Sequence, residues 1–202
     1  MRLALRPPRP DGHAAAQRVQ PPHYRRSLAH VLQHCQSLSA ARNRRHHGVV
    51  RLLAESIAAT GQWDVAVDRV APGASTNLRP DLLCTNISTG RRVIVDVKVP
   101  FETQRAVDES ASRNEEKYRD LAAELRADIF TFPVGALGSW TARAERLTTR
   151  TFRLSRPAKL RDEILRHVLH WSRNCYVEFV TRGTLDGDEA TNGDIWARTL
   201  IK

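Results

Sequence analysis

The chain has 202 residues, 41% of them hydrophobic and 27% charged, with a formal net charge of +10. That length and composition support one domain with a buried core, and no apolar run is long enough to span a bilayer, so no membrane association through a spanning helix is expected. Three scattered cysteines give no disulfide framework, and Met1-Arg2-Leu3-Ala4-Leu5 runs straight into Arg6-Pro7-Pro8-Arg9-Pro10 without the apolar stretch of a signal peptide; a nuclear or cytoplasmic protein, not a secreted one, is expected.

The charge is unevenly placed. Residues 1–51 hold ten arginines and one acid, Asp11, a balance of +9, whereas the rest holds 22 basic and 21 acidic side chains, a balance of +1. Residues 1–26, rich in Arg and Pro and without a hydrophobic period, read as a disordered basic arm. Such an arm beside a folded domain suggests phosphate contact that holds nucleic acid without reading its sequence; for residues 1–22 the reading preferred is a disordered leader whose arginines reflect coding bias.

Residues 27–39 read as a short helix with Ser27 as N-cap and Leu28, Val31, Leu32 and Cys35 on one face. A helix over 43–60 follows, ended by Gly61, with Val49, Leu52, Leu53 and Ile57 as its apolar stripe. Glu55 on this helix reads as a solvated surface acid, with a metal-linked role as the alternative. Alternation predicts strands over 63–70, 82–87 and 92–99, the second and third joined by a Ser88-Thr89-Gly90 turn. Residues 103–127 form a long polar helix with Tyr118, Leu121, Ala122 and Leu125 as its packing stripe. A β-rich run over 129–134 gives a fourth strand. The glycines of Gly135-Ala136-Leu137-Gly138 let the strand end pack closely on a helix. A last helix spans 157–180, with Leu160, Ile164, Val168 and Trp171 inward, and residues after Arg182 read as a disordered tail.

Two short motifs carry chemistry. Arg79-Pro80-Asp81 precedes the second strand, and Asp96-Val97-Lys98 ends the third. Alternation places Asp96 and Lys98 on one face of that strand and its valines on the other. Phosphodiester cleavage uses hard cations held by carboxylate oxygens, and Asp81 and Asp96, on neighbouring antiparallel strands, supply them with the Val97 carbonyl as a third donor. Two carboxylates that close repel unless a cation joins them. Mg²⁺ or Mn²⁺ is the expected cofactor. Lys98 is one of four lysines against 28 arginines, and a compact ammonium suits a role at the attacking water better than a guanidinium. Lys117, one residue from the packing stripe, is a second candidate. Arg79 is placed to meet the scissile phosphate, with Arg44 and Arg45 as further DNA contacts.

An ordered series of short motifs runs from about residue 27 to about residue 182. It comprises Leu28-Ala29-His30-Val31-Leu32 with Cys35, Arg45-His46, Arg79-Pro80-Asp81-Leu82, Val95-Asp96-Val97, Pro100-Phe101-Glu102, Glu116-Lys117-Tyr118, Val134 to Trp140 and Trp171-Ser172-Arg173. The series resembles the C-terminal, restriction-like endonuclease region of non-LTR retrotransposon reverse transcriptase polyproteins. The resemblance implies a PD-(D/E)xK fold, a central mixed sheet flanked by helices. It implies a domain that nicks double-stranded target DNA so that the freed 3′-hydroxyl primes reverse transcription, with element RNA and the reverse transcriptase domain as partners in the full polyprotein. Members commonly have Thr where Lys98 stands and the working lysine on the next helix, so Lys98 and Lys117 both stay open. The family places a Cys-Cys-His-Cys zinc finger ahead of the domain; His30 and Cys35 match its second half, but the upstream Cys pair is missing and bound Zn²⁺ is not expected. His46 matches an Arg-His pair, with phosphate contact or helix capping as its alternatives. No polymerase signature is present. The expected organisation is therefore a basic arm over 1–26, a finger remnant over 27–42, an endonuclease domain over 43–182 and a tail over 183–202, the whole a fragment lacking the reverse transcriptase. The rival reading is a decayed remnant that binds nucleic acid without cutting; a host repair or junction-resolving nuclease is a third, against which the half finger argues.

Overall fold

A computed structural model describes residues 27–101 and 104–185. The arm over 1–26, residues 102–103 with Glu102, and the tail from residue 186 lie outside the described residues, and with them the expectations placed there. Within them the chain is mixed α/β: a four-stranded sheet with helices on both faces. The helices are α1 (Leu28–Gln33), α2 (Ser39–Ala58), α3 (Gln104–Leu125), α4 (Ala142–Arg146) and α5 (Pro157–Leu185). The strands are β1 (Trp63–Val67), β2 (Leu82–Asn86), β3 (Arg92–Lys98) and β4 (Ala127–Pro133), in the spatial order β1-β2-β3-β4.

The first three strands form an antiparallel meander, and β4 pairs parallel to β3. A parallel partner needs a crossover, which α3 supplies. The β2–β3 turn is tied by Asn86, whose Oδ1 accepts from the backbone N–H groups of Ser88 and Thr89 at 3.2 and 3.0 Å. Gly90 then takes φ +68°, where a side chain is disfavoured.

Both faces of β3 are buried along its middle, which is why Val93, Ile94 and Val95 are apolar without alternation. Val93, Val95 and Val97 join Val49, Leu53 and Ile57 of α2 and Ile164 and Val168 of α5 in the main core. Ile94 faces the other way, against Tyr118, Leu121 and Leu125 of α3. A third cluster, remote from the sheet centre, gathers Val31, Leu32 and Cys35 at α1, Leu38, Ala136 and Cys175 of α5. The helices α2 and α5 cross closely at Gly48. A β-carbon there would lie 1.9 Å from His167 Nε2, and that nitrogen donates to the Arg45 and Arg44 carbonyls at 3.1 and 3.3 Å.

Several boundaries differ from expectation for local reasons. The first helix ends at Gln33, and a single 3₁₀ turn over Gln36–Leu38 leads into α2, which starts at Ser39. Ser27 does cap α1, its hydroxyl accepting from the His30 N–H at 3.2 Å. β1 stops at Val67 because Asp68 turns to φ +45°, and Arg126 at φ +50° breaks α3 from β4 two residues earlier than expected. Residues 139–156, given no element from the sequence, hold α4 and a π-helical turn over Leu147–Thr151. α5 continues past residue 180 to Leu185.

Candidate active site

The two chemical motifs meet at one end of β2 and β3. Leu82 pairs with Val95, which brings Asp81, the residue before β2, to the end of β3, where its carboxylate reaches the Val97 N–H and His46 of α2 while Asp96 meets Tyr118 of α3. Asp96 is 2% exposed. Its Oδ1 accepts from the Tyr118 hydroxyl at 2.9 Å, and that hydroxyl in turn accepts from Lys117 Nζ at 2.7 Å. Lys117 Nζ itself stands 3.8 Å from Asp96 Oδ1. Asp96 Oδ2 is buried and ion-paired with Lys98, though without a hydrogen bond of good geometry. Both candidate lysines thus converge on one carboxylate, from β3 and from α3.

Asp81 is held differently. Its Oδ2 accepts from the Val97 N–H at 2.6 Å and meets His46 Nε2 at 3.2 Å. The same His46 nitrogen lies 3.2 Å from the Val97 carbonyl. Val97 therefore presents its backbone N–H to Asp81 and its carbonyl to His46. Burial works against a charged His46, but the hydrogen bond and charge of Asp81 and the Val97 carbonyl outweigh it, and its pKa lies above the ordinary value. Asp81 mirrors this: burial alone would raise it, yet His46 and the Val97 N–H hold it below the usual carboxylate range. Burial, and then the Asp96 charge, push the Tyr118 phenol up, so it stays protonated at neutral pH.

Among the described residues, no three His, Cys, Asp or Glu side chains come together in a way that holds an ion by themselves. Mg²⁺ needs no such trio, since one or two carboxylates with waters and phosphate suffice. Two carboxylates, one carbonyl and a buried Asp96 Oδ2 without a well-formed hydrogen bond fit a hard cation of that kind.

The other predicted residues separate into near and far. Arg79 is exposed on the strand-flanking loop, its carbonyl 3.4 Å from the Tyr118 hydroxyl. Arg44 is exposed, its guanidinium 5.5 Å from the Trp171 ring centroid. Arg45 requires a correction. It is 3% exposed, and it donates to the Ser172 hydroxyl and the Leu32 carbonyl, each at 2.8 Å. It ties α1 and α5 to α2 and is not a surface DNA contact. Cys35 packs in the α1 cluster with its sulfur 3.1 Å from the Ser37 hydroxyl, and its backbone N–H donates to the His30 carbonyl at 3.0 Å. Glu55 pairs with Arg51 at 3.0 Å and edges a groove of about 530 Å³ that runs past Asp68 to Asp81.

Sequence reasoning gives Tyr118 a packing role and misses its bond to Asp96, although its place beside Lys117 marks the helix face that meets that carboxylate. It singles out His46, but the carboxylate partner 35 positions away leaves no local signal. Compared with known proteins, the chain matches no family model and no curated protein.

Proposed function

We propose that the chain is a Mg²⁺- or Mn²⁺-dependent DNA endonuclease with a PD-(D/E)xK, restriction-endonuclease-like fold. It would be the nicking region of a non-LTR retrotransposon polyprotein. The observation that carries the reading is the convergence of Asp81, Asp96, the Val97 carbonyl and Lys98 at one sheet end, with Lys117 arriving from α3. The element order supports it: a helix, an antiparallel meander, a crossover helix and a parallel fourth strand.

In this reading Asp81, Asp96 and the Val97 carbonyl would hold the cation. A bound divalent ion lowers the pKa of water and offsets charge on the phosphate. Lys98 moves between neutralising Asp96 and donating to the water or a phosphate oxygen. Tyr118 keeps Asp96 oriented through its hydroxyl, and Lys117 supports Tyr118. Arg79, at the exposed rim, steers the strand. Target-site DNA is the substrate, and the freed 3′-hydroxyl primes reverse transcription by the polymerase domain of the full polyprotein.

One observation favours the binding-only remnant: each carboxylate has a cationic partner from the chain itself, Lys98 for Asp96 and His46 for Asp81. Plasmid nicking separates the two. Supercoiled plasmid incubated with the purified chain is expected to be nicked in Mg²⁺ or Mn²⁺ and not in EDTA. Asp96→Ala should abolish nicking, and alanine at the working lysine, 98 or 117, should slow it on the order of a hundredfold. A folded chain that binds duplex DNA yet never nicks it with either metal sinks the enzyme reading and leaves the remnant.

A further inference from the structure

Beside the candidate active site lies a second, smaller cavity of about 230 Å³, walled by α1, α2 and the chain leaving β3. That is room for several water-sized groups at about 30 Å³ each. Arg42, Arg45 and Lys98 line it together with His34, and among the described residues no carboxylate does. Three cationic side chains around one hollow repel each other; Lys98 is offset by Asp96, and burial sharpens the cost of setting the two guanidiniums side by side.

Their hydrogen bonding is also incomplete. Arg42 Nη1 is buried and makes no hydrogen bond, and neither does the buried Arg45 Nε. Arg45 itself is only 3% exposed, and its two terminal nitrogens are spent on Ser172 and Leu32. It forms a fixed, charged floor. Arg42, half-buried on the next turn of α2, keeps donors for a visitor. Lys98 is shared: it pairs with Asp96 on one side and borders this cavity on the other. A guanidinium fork and an ammonium around a hollow that no described carboxylate lines match a tetrahedral oxyanion, and Arg pairs with phosphate in two parallel hydrogen bonds.

We propose that this cavity is a phosphate subsite, taking a backbone phosphate of a nucleic-acid strand next to the one presented at Asp96, with Arg42 as its contact and Arg45 as its charged floor. The strand assignment rests on the endonuclease reading; the phosphate chemistry does not. Occupancy links the two sites through Lys98. A phosphate in the cavity draws the ammonium away from Asp96 and frees that carboxylate for a cation. Arg42 is thus a positioning residue for the strand and not a participant in the bond-breaking step.

The test uses the full chain, Arg42→Gln and the charge-keeping Arg42→Lys, each first shown to melt cooperatively. Two probes are applied without metal: sodium phosphate against sodium chloride at equal ionic strength, read as thermal stabilisation, and a labelled DNA duplex read by anisotropy. The duplex carries a single neutral methylphosphonate moved along one strand. Phosphate should stabilise the wild type and not Arg42→Gln. One methylphosphonate position should weaken wild-type binding about tenfold while costing Arg42→Gln nothing further, with Arg42→Lys between. Phosphate stabilisation that disappears in Arg42→Gln, with no methylphosphonate position coupled to Arg42, overturns the strand assignment in favour of a free-phosphate site. Equal stabilisation and equal duplex binding in all three proteins overturn the subsite altogether. Wild-type nicking of plasmid, measured alongside, keeps the failures apart: nicking without an Arg42 effect leaves the endonuclease standing, and Arg42 coupling without nicking leaves the subsite standing.

Discussion

At the scale of single residues, the candidate site is a set of charges that neutralise each other until something replaces them. Asp96 answers to Lys98 and Tyr118, and Asp81 to His46 and the Val97 N–H. The placement of Asp96 and Lys98 on one face was legible, because strand periodicity alone sets it. The partners were not, because they come from α2 and α3 and no local pattern announces a contact across the fold. The His46–Asp81 pair makes metal-free stability depend on pH. His46 holds its proton more tightly when folded, so its contribution is full below the unfolded value near about 6.5 and is lost as pH rises through the raised folded value. Asp81 contributes fully above about 3.9 and loses its share as pH falls through its lowered value. The pair is therefore at full strength between those limits. Urea titrations should show His46→Gln less stable than wild type at pH 6, by under about 1 kcal/mol for a pair this solvent-accessible. The gap should close by pH 9; a constant gap across that range contradicts the assignment.

At the scale of elements, alternation and the 3.6-residue period located every strand and the long helices, and failed at their edges. Asp68, Arg126 and Arg153 take positive φ without being glycine, so the usual punctuation is missing where the chain turns. α4 is only one turn long before it widens into the π segment, too short for a period to show. Gly48 is the reverse case, a glycine inside a helix where propensity disfavours it. Its reason is the α5 contact: His167 occupies the space a side chain needs. Gly48→Ala should destabilise by about 1–3 kcal/mol from overpacking, despite alanine's better helix propensity. His167→Ala in the same chain should recover part of the loss in chemical denaturation. Additive losses would mean that the two helices do not meet there as described.

At the scale of the whole molecule, fold class was more legible than site. The pattern of helices and strands fixes a layered α/β arrangement, whereas the site gathers residues 46, 81, 96, 98, 117 and 118 through long-range contacts that only the sheet order creates. The charge asymmetry is a property of the chain as a whole. Residues 1–26 carry six arginines, at positions 2, 6, 9, 18, 25 and 26, and one acid, Asp11, a balance of +5. Removing them should weaken duplex binding and flatten its dependence on salt, by about 0.9 in the logarithmic slope for each phosphate that the arm no longer neutralises. An unchanged slope, measured by anisotropy from low to moderate salt, would exclude the arm from the interface.

The three cysteines are distributed among the packing clusters in a way that makes the protein its own stopwatch. Cys84 sits in the sheet core, its thiol pushed up to about 12 by burial and then by Asp64. Cys35 and Cys175 sit together in the cluster that fastens α1 to α5, and all three are free and buried. A thiol reagent can reach each sulfur only when its surroundings open. In mild urea, Cys35 and Cys175 should be labelled early and Cys84 only with global unfolding, as counted by intact mass over time. Three labels arriving together would show that the α1 corner and the sheet come apart as one unit.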